Sequence, residues 1–247
     1  MECRGLVITL SRLPFLAVAL LAFMLAGACS SDEPDKAAIA ADVDAVRAAA
    51  AQAMSDIDTV RFSIGRSGAV VYIDDGDSLA FERAEGRFAA PASADALITV
   101  TAGSLTTEVG AVAIDGATWI TNPATGRWEP APEDLSFDPA SLFKPDLGWS
   151  PLLATGLRRA ELLEPAPDDD NRYHLRGIAE AQPISVLTGG LVDQSVPIDL
   201  WIDAASGRVV EARFDADTGQ GVSSWLLALS DYGANVEVER PDLGAGS

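Results

Sequence analysis

An α+β fold is predicted, with one amphipathic helix leading into an antiparallel meander of short strands and helical turns inserted mid-chain. Three observations carry this. Ile39, Val43, Val46, Ala50, Met54 and Ile57 recur at spacings of four, three, four, four and three, which is the helical period. From Val60 the period drops to two, and short apolar runs follow one another between Gly, Pro, Asn and Asp punctuation. Two aromatic-bearing segments in the middle interrupt that rhythm with helix-start signals.

The leading helix is expected from Lys36 to Ile57, because alanine fills the positions between its apolar residues and Asp42, Asp44, Arg47 and Gln52 lie on its polar side. Val60, Phe62 and Ile64 then alternate with Arg61 and Ser63, and Val70 to Ile73 reads as a second short strand before a tight turn at Asp75-Gly76. Leu79 to Phe88, Ala96 to Thr101, Leu105 to Ile114 and Trp119 to Thr121 continue the meander, and along Thr106 to Ile114 neither face is strongly apolar. Asp138 before Pro139 is an N-cap signal for a short helix, and Ser150 before Pro151 reads as a second. Strands are expected again at Leu157 to Leu163 and Tyr173 to Ile178, and Pro183 to Leu191 reads as a short helix. Ile198 to Asp203, Val209 to Phe214 and Ser223 to Leu229 complete the alternating strands, with Asn235 to Glu239 as a candidate edge strand. No internal repeat or long linker divides this region, so residues 37–241 are expected as a single domain with a tail at 242–247.

Composition narrows the function. The 247 residues hold 17 Lys plus Arg against 37 Asp plus Glu, a net charge of −20. With only Lys36 and Lys144 as lysines, no basic stripe for tracking phosphates exists, which argues against nucleic acid as a partner. One histidine, His174, and two cysteines, Cys3 and Cys29, exclude a His-rich or Cys-rich metal site and a disulfide framework. No cofactor motif appears, and imidazole catalysis would have to use His174.

The first 28 residues read as a signal peptide: Arg4 and Arg12, an apolar run from Leu13 to Leu25, then Ala26-Gly27-Ala28 before Cys29. The run is short of the roughly 20 apolar residues a spanning helix needs. Small residues before Cys29 have the form of a lipobox, with Ala26 where Leu is commonest, so Cys29 is the expected lipidation site. Residues 29–36 then form a polar tether. Two acyl chains suffice for stable anchoring, since each buried methylene contributes about 0.8 kcal/mol. The acidity of the chain means that attachment must come from that lipid and not from a basic patch.

With these features in place, the chain resembles the LppX/LprA/LprF/LprG family of actinobacterial lipoproteins. The resemblance rests on the lipobox cysteine and on residues 53–62, Ala-Met-Ser-Asp-Ile-Asp-Thr-Val-Arg-Phe. It also rests on Phe137-Asp138-Pro139-Ala140 with Lys144-Pro145-Asp146-Leu147-Gly148, on residues 196–203 and on Leu229-Ser230-Asp231-Tyr232-Gly233. It spans about Ala37 to Pro241, and the order and spacing of its short motifs carry its specificity. It implies a strongly curved, half-barrel antiparallel sheet with helices on the concave face enclosing a hydrophobic cavity. It further implies a non-enzymatic carrier of multi-acylated lipids or glycolipids, anchored on the extracytoplasmic face of the plasma membrane and moving lipid outward. A membrane transporter is a candidate supplier of cargo. The bulky residues of the central helices and facing strands are then the candidate wall: Trp119, Leu142, Phe143, Trp149, Leu152, Leu153, Val186, Leu187 and Trp201.

Two other readings compete. One is an adaptor lipoprotein whose sheet holds no ligand. The other is an esterase, because Gly76-Asp77-Ser78-Leu79 spells the GDSL tetrapeptide after a strand, with Ser78 as nucleophile. Acyl transfer needs a base and an acid orienting that base. His174 has Asn171 where that family places the acid and lies far from its usual C-terminal position, so a hairpin turn is the better account. Asp74, Asp75 and Asp77, and Asp168, Asp169 and Asp170, lack calcium-loop spacing and read as solvated turns.

Overall fold

The structure, a computed structural model, describes residues 41–74, 76–132 and 138–243. The expected signal peptide, Cys29, the tether, Phe137 and the last four residues lie outside them. The leading helix α1 spans Val43–Ser55, with the Asp42 carboxylate accepting from the Asp44 amide as its N-cap. Eleven strands follow: β1 (Thr59–Gly68), β2 (Ala80–Ala89), β3 (Ser93–Ala102), β4 (Leu105–Ile114), β5 (Ala117–Thr121), β6 (Trp128–Pro130), β7 (Leu157–Leu162), β8 (Arg172–Ala179), β9 (Val196–Asp203), β10 (Val209–Asp217) and β11 (Val222–Ser230).

All eleven join one antiparallel sheet in the order β6-β5-β4-β3-β2-β1-β11-β10-β9-β8-β7. The sheet is an open half-barrel built from two meanders, β1–β6 and β7–β11, that meet where β1 pairs with β11, Phe62 opposite Leu229 and Ser67 opposite Ser224. The chain therefore leaves the first meander at one edge of the sheet and must start the second at the other. It crosses through a 3-10 helix (Pro139–Phe143), a short helix α2 (Trp149–Pro151) and one π turn (Leu152–Gly156). Helix α3 (Ala181–Leu187) joins β8 to β9.

Alternation in the strands assigns the two faces. Val60, Phe62 and Ile64 of β1, Leu175 of β8, Ile198, Leu200 and Ile202 of β9, and Trp225, Leu227 and Leu229 of β11 all point into one apolar core. The same core contains Met54 of α1, Leu142 and Phe143, Trp149, Leu152 and Leu153, and Ile184 and Leu187 of α3. Fully burying each such side chain contributes about 1.5–3 kcal/mol.

Two glycines make this packing possible. Gly86 lies under the Phe62 ring, where an added Cβ would come within 2.4 Å of the ring and 2.2 Å of the Asp95 carbonyl oxygen. Gly148, at φ 51°, turns the chain from the 3-10 helix into α2, and a Cβ there would stand 1.9 Å from the Leu142 carbonyl oxygen.

Several sequence expectations are corrected. Val70 to Ile73 is not a strand but part of a strap over residues 69–74 and 76–79, tied by a Tyr72–Ala80 bridge and by the Phe81 amide on the Val71 carbonyl. Asn235 to Glu239 adds no edge; the edges are β7 and β6, whose three residues are too few for an alternating signal. The second mid-chain helix is capped by Gly148 and not Ser150, because Gly148 supplies the positive φ that starts it two residues earlier. Strand β4, whose faces looked indifferent, is buried on both from Val109 to Ala113, since Trp128 packs on Gly110 from the outer side.

Tyr232 ties the end of the sheet to its core: its hydroxyl donates to the Val209 carbonyl oxygen, and Arg208 stacks on its ring at 5.0 Å. Burial holds its phenol well above the ordinary tyrosine range of about 10, so the folded state keeps a proton that the unfolded chain releases. Stability from this group is complete below about pH 10 and falls as pH rises beyond it. Tyr232→Phe is therefore expected to flatten the alkaline side of a stability–pH profile above about pH 10 while lowering stability near neutrality by about 1 kcal/mol. Gly148→Ala is expected to destabilise by more than about 2 kcal/mol, read as a lower denaturation midpoint at unchanged slope.

Candidate functional site

The candidate site is the concave face of the sheet and the segment that crosses it. The crossing segment starts at Asp138, whose carboxylate accepts from the Ala140 amide at 2.9 Å and from Lys144 Nζ at 2.7 Å, so one side chain both caps the 3-10 helix and holds its far end. Phe143 then reaches the sheet, with its ring 4.9 Å from Phe88 and 5.7 Å from Phe62. Trp149, Leu152 and Leu153 follow in the turn-and-a-half of α2 and the π turn, all buried. A π turn widens the local backbone and often marks a functional site.

Arg47 of α1 secures this second half of the cover. Its Nε and Nη2 donate to the Leu153 carbonyl at 3.2 and 3.1 Å, and Nη2 also reaches the Ala154 carbonyl at 3.2 Å. A π turn leaves carbonyls without regular partners, and an arginine fork suits two adjacent ones.

Of the nine expected wall residues, the structure brings six together on the concave side: Leu142, Phe143, Trp149, Leu152, Leu153 and Leu187. Val186 is half-buried and outside the core cluster, because the single short helix α3 turns Ile184 and Leu187 inward instead. Trp119 and Trp201 are on the other face of the sheet. Trp119 pairs with Val112 across β4 and β5, while its neighbour Ile120 pairs with Ala111 on the core side, and Arg240 covers the indole at 4.9 Å. Trp201 alternates with the inward Leu200 and Ile202; His174 stacks on it at 4.3 Å and Arg213 lies 5.1 Å from its centroid. Tryptophan volume suggested a wall, but strand parity decides the face, and the amphipathic indole is also suited to an outer surface under arginine.

Sequence reasoning missed the far end of the concave face, where Phe81, Trp225 and Phe214 stack in a row with centroids 5.6 and 6.0 Å apart. Parity along β11 could have found Trp225, two residues before the inward Leu227.

The esterase geometry is absent. The Ser78 hydroxyl donates to Asp74 Oδ2 at 2.6 Å, and that bond, followed by the Leu79 amide, holds the Asp74 carboxyl below its ordinary range. His174 is four strands away from β1 on the outer face, with Nε2 2.8 Å from Asp199 Oδ1, and Asp199 also accepts from Arg176 Nε and Nη2. Ser78 thus meets a carboxylate and no imidazole. Among the described residues no cluster of three or more His, Cys, Asp and Glu is placed to hold a metal, and no helix is long and apolar enough to cross a membrane.

Comparison with known proteins agrees with this architecture. The sequence model of the LppX_LprAFG lipoprotein family matches residues 42–238. The lipoarabinomannan carrier protein LprG of Mycobacterium tuberculosis is 24% identical over 153 residues, covering 61% of this chain and 64% of that protein, and the Mycobacterium bovis protein of the same name matches equally. The chain thus spans a little under two thirds of these relatives. Among solved structures, LprF from Mycobacterium bovis superposes with a TM-score of 0.59 at 16% identity, covering 82% of this chain and 97% of that one. Mycobacterium tuberculosis LppX gives 0.54 at 18% identity, covering 80% and 98%. At these identities the likeness is one of fold.

Removing the Arg47 fork is expected to loosen the cover locally. In Arg47→Met, amides of residues 149–156 should exchange with solvent about tenfold faster, as for the loss of a charged hydrogen bond, while those of β8–β11 stay unchanged. Uniformly faster exchange would show that Arg47 supports the whole fold and not the cover.

Proposed function

The chain belongs to the LppX_LprAFG lipoprotein family, and on that premise we propose that it is a non-enzymatic carrier of multi-acylated lipids or glycolipids. In this reading acyl chains lie against the concave face, between the sheet and the crossing segment, with Leu142, Phe143, Trp149, Leu152, Leu153 and Leu187 as the wall. The observation that supports it most is that, beside the longer helix α1 with its Ala50, Ala51 and Met54, the apolar sheet face is covered by three helical pieces of three to seven residues and one π turn. Such pieces hold little structure of their own and part from a sheet more readily than a continuous helix would. The name of the LprG relatives supports a lipid cargo.

Energetics indicate where loading takes place. Exposing six bulky side chains to water costs roughly 10–20 kcal/mol in all. Acyl chains in water cost about 0.8 kcal/mol per methylene. Neither cost is met if the chains enter as the cover lifts, because each apolar surface then exchanges one dry neighbour for another. That exchange takes place at a bilayer surface. A lipid anchor on Cys29, with residues 30–36 as its tether, would keep the domain there on the extracytoplasmic side.

Full-length protein carrying Cys29→Ser, produced in an actinobacterial host and measured by native mass spectrometry, is expected to carry acylated lipid at near-unit stoichiometry. Leu153→Trp should lower that occupancy several-fold with an unchanged circular dichroism spectrum. A lipid-free mass that persists after incubation with host lipid extract would sink the carrier reading and favour an adaptor.

A further inference from the structure

The concave face is apolar along most of its length and polar at one end. Along β1 the inward residues are Val60, Phe62 and Ile64, then Arg66, and along β11 they run from Leu229 and Leu227 to Trp225 and Ser223. Arg66 faces Trp225 across the strands, and Ser223 faces Gly68. At this end two buried side-chain groups, Ser223 Oγ and Trp225 Nε1, have no hydrogen-bond partner among the described residues, although Ser223 is 0% exposed and Trp225 2%. A third such atom, Trp149 Nε1, belongs to the cover.

Buried donors without partners are costly, and native proteins keep few of them. An indole N–H donates only, so whatever satisfies Trp225 is an acceptor. Arg66 does not compete for that acceptor. Its side chain is 4% exposed, Nε donates to the Phe81 carbonyl at 2.5 Å, Nη1 to the Gly68 and Ala69 carbonyls, and Nη2 to Glu82. The Trp225 ring is fixed between Phe81 and Phe214, so its N–H is held in place and not free to swing to another partner. Ser223 and Trp225 are two residues apart on one strand face, which separates their positions by about 7 Å.

An outlet exists beside them. A groove of about 380 Å³ runs between the strap and the 191–194 loop, lined by Tyr72 and Ala216 and by the carboxylates of Asp74, Asp77, Asp193 and Asp217; Ser223 and Trp225 do not line it themselves, but Ala216 is the cross-strand partner of Ser223.

We propose that Ser223 Oγ and Trp225 Nε1 hold the acceptor oxygens at the junction between the headgroup and the acyl chains of the bound lipid. The headgroup then leaves by the groove under the strap, and the chains run towards Phe62 and Phe143. The assignment rests on the carrier reading. It names the ligand class as an oxygen-linked acyl lipid, whether the oxygens are ester carbonyls or a phosphate, and excludes a plain hydrocarbon as the preferred cargo.

The test uses full-length protein, its Ser223→Ala and Trp225→Phe variants, and three probes matched in chain length: hexadecane, dipalmitoylglycerol and dipalmitoylphosphatidylglycerol. Both variants delete one donor; Ser223→Ala keeps the apolar packing, whereas Trp225→Phe also shortens a buried ring, a packing loss that the hexadecane arm reads. Expected is unchanged affinity of Ser223→Ala for hexadecane and, for each variant, a loss for both diacyl lipids that exceeds its loss for hexadecane by roughly five- to tenfold. A loss confined to the phospholipid also supports the assignment and places the phosphate at the donors. Equal losses for all three probes would mean that the residues act only by packing, and no loss for any would mean that they touch no ligand oxygen; either overturns it. If wild-type protein binds none of the probes, hexadecane included, the carrier reading falls and this inference with it. Melting without lipid adds an independent readout: deletion of an unpartnered hydroxyl should not lower the melting temperature of Ser223→Ala, and a clear fall would show that the hydroxyl has its partner within the folded protein.

Discussion

One topological constraint organises the molecule: the first meander ends at one edge of the sheet and the second begins at the other, so a single connection must cross an apolar face. That connection cannot be polar, because it buries its inner side, and it cannot be one long helix, because it changes direction at Gly148. It resolves as a chain of short helical pieces, each fixed by one specific device. Asp138 caps and braces the first, Gly148 turns into the second, and Arg47 takes up the carbonyls of the π turn. The inner side of the cover is apolar and buried. A sheet face covered by short, separate pieces suits the proposed carrier role, and it follows here from strand order.

Much of this is legible in the sequence because the signals are local. The helical period before Ile57, the two-residue period of β1 and β9 to β11, and the Asp138-Pro139 cap each depend on a few neighbouring residues. What escapes is what depends on partners far along the chain. The Val70 to Ile73 run has strand composition but becomes a strap, because β1 already has β2 and β11 as its neighbours. Trp119 and Trp201 have the volume of wall residues, but their pairing with Val112 and their alternation with Leu200 and Ile202 turn them outward. The pairing of β1 with β11 leaves no mark on either strand, since both read as ordinary alternating segments.

The division of labour between the faces also accounts for the charge. Inward positions carry almost no ionisable groups apart from Arg66, whereas the outer face carries ladders such as Arg176, Asp199 and His174, or Glu211 and Arg213 around Trp201. These exposed pairs contribute little stability individually. Their effect is collective: a chain with a net charge of −20 is repelled by anionic surfaces.

The meeting of β1 with β11 gives the two halves of the sheet different histories. Strands β1 to β6 are neighbours in sequence and can pair as soon as they exist, but β1 keeps one bare edge until the last strand has been made, more than 150 residues later. Contacts of such long range form slowly, because the loop between them must first be closed. Until then the nascent molecule presents an unpaired β-edge beside an uncovered apolar face. Its final hydrogen-bond ladder acts as the clasp of the whole assembly.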